Sequence, residues 1–109
     1  MANTYKVLGQ SNPSSTTNTD LYTVGAGKSA VCSTLTVCNQ ASSPATFRIA
    51  IRVAGASIAA SQYIAYDTSI PANDVLTMTM GLTLAATDVV TVYASTSTLS
   101  FNLFGSEIS

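Results

Sequence analysis

A chain of 109 residues with 47% hydrophobic and only 8% charged side chains suits one domain with a single modest core, and is too apolar to be disordered in bulk. Its four cations, Lys6, Lys28, Arg48 and Arg52, leave a net charge of −1. They are too few and too scattered to neutralise a run of phosphates, so no nucleic-acid partner is expected. The absence of histidine excludes Ser-His-Asp and Cys-His catalysis.

The first segment, Thr4 to Gln10, reads as a short strand. Ser11 to Asn18 (S-N-P-S-S-T-T-N) has loop composition. Residues 1–18 are therefore read as an N-terminal extended arm and linker, able to pack at home or reach a neighbour, and 19–109 as the folded domain. Asp20 to Val24 is a strand running into a turn at Gly25-Ala26-Gly27. Ser29 to Asn39 is a long strand with Val31, Leu35 and Val37 on one face, and Asn39 to Pro44 is a hairpin-like loop.

Thr46 to Val53 alternates most cleanly. Side chains of a strand point to opposite faces with period two, so Phe47, Ile49, Ile51 and Val53 share a dry face and Thr46, Arg48, Ala50 and Arg52 the other. Ala54 to Ser57 is a turn. Ile58 to Tyr66 is ambiguous between a helical turn and a strand, with Tyr63 and Tyr66 on opposite strand faces. After a turn at Ile70 to Asp74, Val75 to Leu84 alternates again, with Leu76, Met78, Met80, Leu82 and Leu84 on one side. Val89 to Ser95 and a last strand carrying Leu99, Phe101 and Leu103 follow. Short strands about ten residues apart, separated by turns, predict an all-β fold: an antiparallel β-sandwich, jelly-roll-like, of about seven or eight strands.

The polar balance is carried by 15 Ser and 16 Thr residues. Short hydroxyl side chains lose less on desolvation than Lys or Glu, so a surface made of them suits burial against another subunit. A membrane span is not expected, because the uncharged stretch Val89 to Ser106 is full of Ser, Thr and Asn and alternates in polarity. Met1 to Lys6 lacks the charged-then-apolar order of a signal peptide, which predicts synthesis and use from the cytosol.

Cys32 and Cys38 lie at even positions of one extended segment. They are expected about 20 Å apart on a shared face, too far for a disulfide, which needs Cα atoms within about 7 Å. Two free thiols in a reducing compartment follow. The C-x5-C spacing without histidine does not match a zinc site, so neither metal nor cofactor is expected.

Gly25-Ala26-Gly27-Lys28-Ser29 imitates the end of a phosphate-binding loop. Tyr22 stands where the first glycine belongs, and a β-branched run follows where a helix N-terminus is required, so it reads as a plain turn. Asp74 and Asp88 sit in turns, where side-chain to backbone bonding accounts for them. No local spacing supports a carboxylate pair or a calcium loop. Arg48 and Arg52 are either interface groups, suited by their planar fork, or solvated charges that discourage edge pairing.

The turn and strand pattern of Thr19 to Gly27, Val31 to Asn39, Phe47 to Val53, Tyr66-Asp67, Ile70-Pro71, Asn73-Asp74, Gly81 to Leu84 and Thr87 to Val90 resembles a group of small virion structural proteins of tailed phages, cyanophages among them. The similarity runs from Tyr5 to Glu107 and rests on turns and strands rather than on reactive residues. It implies a non-enzymatic capsid cement or decoration protein on the virion surface. Its partners would be the major capsid protein and copies of itself, as trimers. A tail or baseplate adhesion component is the alternative, and a free carbohydrate-binding module a third. In this setting Tyr5, Lys6, Val7 and Leu8 are expected to add as a strand to a neighbour's sheet edge, with Arg48 and Arg52 as further interface candidates.

Overall fold

In the computed structural model, which describes residues 3–109, the alternating segments become eight strands. They are β1 (Asn3–Ser11), β2 (Thr19–Thr23), β3 (Ser29–Asn39), β4 (Ala45–Arg52), β5 (Tyr63–Ile70), β6 (Val75–Leu84), β7 (Val89–Ala94) and β8 (Leu99–Ile108). Sheet A has the order β1-β8-β3-β6 and sheet B the order β2-β7-β4-β5. Every pairing is antiparallel, with β1 on β8, β2 on β7, β3 on β6 and β4 on β5. The chain is thus one long hairpin doubled on itself and wrapped into two layers, the jelly-roll form of a β-sandwich. The all-β antiparallel fold expected from the alternation is the one observed.

The inner faces meet in a dry core. Leu35, Val37, Leu99, Phe101 and Leu103 from sheet A pack against Phe47, Ile49, Ile70, Val90 and Val92 from sheet B, all fully buried. Phe47 and Phe101 meet edge to face across the layers, with ring centroids 6.1 Å apart, an arrangement that adds to area burial. At one end of the sandwich, buried Asn39 ties three loops. Its amide donates to the Ser43 and Pro71 carbonyls, and its Oδ1 accepts from the Ala41 N–H and the Thr98 hydroxyl.

Asn39 to Pro44 is not a hairpin loop. Both flanks of β3 are occupied, by β8 and β6, so the chain must cross to sheet B, and among the described strands only β4 and β5 are consecutive neighbours in one sheet. Within β3 the register against β8 shifts between Cys32 and Thr34, with Ser33 as the extra residue of a bulge. A bulge inverts the alternation beyond it. Ala30 and Cys32 therefore point inward before it and Leu35, Val37 and Asn39 after it, while Val31 and Cys38 turn out. The two cysteines are free and lie on opposite faces.

Two shifts in the β4–β5 register, with Asp67 at φ 49°, do the same for the tyrosines. Tyr63 and Tyr66 both reach the outer face of sheet B, with ring centroids 4.8 Å apart and planes at 88°.

The segment read as an arm is a strand of the sandwich. β1 pairs with β8 from Asn3↔Ile108 to Ser11↔Phe101, and Leu8 packs against the core. The boundary expected at residue 18 falls in the crossing from sheet A to sheet B, inside the fold. Residues 1 and 2 of the proposed arm lie outside the described residues. β1 still presents its far side as a free sheet edge. Among the described residues no helix is long and apolar enough to cross a membrane.

Candidate functional site

Charge is sparse, and the fold sorts it. Lys6 and Glu107 turn to the inner side at one end of the sandwich, Asp20, Arg48, Arg52 and Asp67 belong to sheet B, and Lys28, Asp74 and Asp88 sit in turns. The outer face of sheet A is left without a charged side chain among the described residues. Its strands carry Thr34 and Thr36 (β3) beside Thr77 and Thr79 (β6). Toward the Glu107 end the face becomes apolar. Tyr5 is 81% exposed, Val7 47% and Val31 40%. The register makes them neighbours: Val7 lies opposite Phe104, and Tyr5 and Val31 flank Ser106 from either side.

Alternation along β1 splits the four residues expected to act together. Tyr5 and Val7 project from this face. Lys6 ion-pairs with Glu107 at 3.2 Å, and Leu8 packs inward. The sequence signal for the rest of the face was the low charge and high hydroxyl content. Phe104, Val31 and their juxtaposition were not individually foreseeable, because the β3 bulge decides which way Val31 points.

Arg48 and Arg52 are both engaged within the chain. Arg48 pairs with Asp67 (Nε to Oδ1, 2.7 Å) and is stacked between two rings, 4.2 Å from the Tyr66 centroid and 4.3 Å from that of Tyr93. The bond to Asp67 holds its guanidinium charged above its ordinary range. Arg52 pairs with Asp20 at 2.9 Å and bonds Thr91 and the Gly55 and Ala56 carbonyls. Four residues apart on β4, the two arginines serve separate clusters.

Among the depressions formed by the described residues, two are notable. One, of about 360 Å³, follows the β1–β8 pair and is lined by Gln10, Ser11, Asn12, Ser100, Phe101 and Asn102, with the Gln10 and Asn102 amides bonded to each other at 2.8 Å. The other, of about 250 Å³, lies on sheet B between Asn18, Asp20, Arg52, Ile58 and Thr91.

The turn at Gly25 to Lys28 closes through a Lys28 N–H to Gly25 carbonyl bond of 3.1 Å and feeds directly into β3, so no helix N-terminus stands behind Lys28 and Ser29. Asp74 bonds the Val75 N–H, and Asp88 the Ala54 and Ala85 N–H groups. Both carboxylates act as turn fasteners. Among the described residues no three Cys, Asp or Glu side chains gather as metal ligands would. Comparison with protein-family models, with curated proteins and with solved structures finds no match.

Proposed function

We propose that the chain is a non-enzymatic structural protein of a phage particle, a capsid cement protein that docks through the outer face of sheet A and stabilises the major capsid subunits it bridges. The observation that carries this reading is the uncharged sheet face, with Tyr5, Val7, Val31 and Phe104 clustered at one end. Interface cores are depleted of charge and enriched in aromatic residues. Hydroxyl-rich surroundings desolvate at low cost. The free edge of β1 adjoins the cluster, so a strand of a capsid subunit can add there by main-chain bonding while Tyr5 and Val7 contact its neighbour. The sandwich architecture supports the reading as an analogy, since jelly rolls recur in viral shells, though the same fold also serves lectins. Weak contacts repeated over many copies give a shell collective stability without any single strong site.

The test is quantification and immunogold labelling of the chain on purified particles of the phage that encodes it. Hundreds of copies distributed over the shell are expected. A few dozen confined to the tail would move the role to the tail or baseplate, and absence from the particle would contradict it.

A further inference from the structure

On the opposite side of the molecule, we infer that the cavity between Asn18, Asp20, Arg52, Ile58 and Thr91 is a binding site for a neutral polyhydroxylated ligand, a single sugar ring. Arg52 holds the cavity in shape: its Nε donates to the Thr91 hydroxyl at 3.0 Å and its Nη1 to the carbonyls of Gly55 and Ala56, which fixes the segment carrying Ile58. Nη2 donates to Asp20 Oδ1 at 2.9 Å, and Thr91 donates to the same oxygen at 3.0 Å. Asp20 Oδ1 thus takes two bonds while Oδ2 takes none among the described residues, and the side chain is 54% exposed.

What the pair still offers is a carboxylate oxygen that accepts and, on Nη2, a second N–H that donates. Asn18, exposed at the rim, adds an amide with no side-chain bond among the described residues, and Ile58 gives one apolar wall.

This set matches vicinal hydroxyls. Each hydroxyl both donates and accepts, so neighbouring ones can give to Asp20 and take from Arg52, while the C–H face of the ring lies on Ile58. The ion pair has no net charge, and most donors of Arg52 are spent on its own chain, which disfavours phosphate or sulfate. One carboxylate is too few for a divalent cation. A volume of about 250 Å³ is below the usual range for drug-sized ligands, which begins at about 300 Å³, and admits one ring. No local sequence signal marks this site. Its polar members come from β2, β4, β7 and the loop before β2, and only the doubled hairpin brings them together.

The experiment is an amide NMR titration of the whole chain with the methyl glycosides of glucose, galactose, mannose and N-acetylglucosamine, each at millimolar concentration. Saturable shifts confined to Asn18, Asp20, Arg52, Ile58 and Thr91 are expected for at least one glycoside. Asn18→Ala removes a contact the fold does not use. It should weaken that binding by about three- to tenfold, the value of one net hydrogen bond, with the remaining spectrum unchanged. No saturable shift with any of the four, shifts insensitive to Asn18→Ala, or stronger shifts at these amides with inorganic phosphate would each overturn the assignment.

Discussion

Tyr22 on β2 and Glu107 on β8 bond across the two sheets, the phenol donating to Oε2 at 2.8 Å over a separation of 85 residues. The other oxygen of Glu107 accepts from Lys6 at 3.2 Å and Lys28 at 3.4 Å. One carboxylate therefore joins β1, β2, β8 and the turn before β3, closing the end of the sandwich opposite Asn39. The bond from Tyr22, then that from Lys6, holds the Glu107 carboxyl below its ordinary range. Burial first, and then the bond to Glu107, raises the Tyr22 phenol above its own.

The signs of these shifts set a pH window. A carboxyl depressed on folding contributes stability that is complete above its unfolded value of 4.5 and is lost as pH falls through the folded value. A phenol raised on folding contributes stability that is complete below 10.0 and is lost as pH rises through the folded value. Urea midpoints are therefore expected to fall on both flanks, with a plateau between. Glu107→Gln should flatten the acid flank and Tyr22→Phe the alkaline one. An acid flank unchanged in Glu107→Gln would remove the clasp from the account.

Close approach of backbones makes two glycines irreplaceable. A Cβ on Gly105 would collide with the Val31 carbonyl and crowd Cys32, and one on Gly9 would collide with the Leu21 carbonyl, whereas a Cβ on Gly81 meets nothing within 4 Å. Gly9→Ala and Gly105→Ala should each destabilise by about 1–3 kcal/mol or more, as overpacking does. Gly81→Ala should stay within about 0.5 kcal/mol of the parent. Denaturant midpoints check all three.

Where the pattern is regular, the sequence guides the middle of each strand but not its end: Val53, expected on the dry face, lies past β4 and is 66% exposed, and Ala50, expected opposite, is buried. Phe47 and Ile49 are buried as their alternation requires, and Leu76 through Leu84 present every even position inward along β6. It misleads wherever one residue is inserted. Ser33 turns Val31 outward and Cys32 inward relative to Leu35 and Val37, and the irregularities around Asp67 bring Tyr63 and Tyr66 to one face. No local signal marks these bulges, because they are set by the partner strand's register. The Glu107 clasp was hidden for a related reason: residues 6, 22, 28 and 107 converge only after the long hairpin doubles. The low charge of the chain was legible from composition. Its segregation away from the outer face of sheet A was not.

Phe47 and Phe101 are the largest fully buried side chains and touch across the layers. Phe101→Ala should cost about 3–5 kcal/mol, a large part of the stability of about 5–15 kcal/mol usual for a domain. The pair with Phe47→Leu should be non-additive in a double-mutant cycle, because the rings share a contact.

The thiols should differ in reactivity. Burial pushes the Cys32 thiol up to about 11, while Cys38 lies partly exposed on the outer face of sheet A. Since the thiolate is the reactive form, an aromatic disulfide reagent at neutral pH should modify Cys38 alone in the native protein and both residues after unfolding. Rapid modification of Cys32 in the folded state would contradict the inward turn of β3 before Ser33.

The proposed mode of action is adhesion through the uncharged outer face of sheet A. Co-sedimentation of the purified chain with phage particles stripped of it tests this most directly, comparing the parent with the double substitution Val7→Lys and Val31→Lys. Both positions are exposed, so the double variant should fold with stability within about 1 kcal/mol of the parent. The parent is expected to pellet with the particles while the folded variant remains in the supernatant. Equal binding by the two would contradict it.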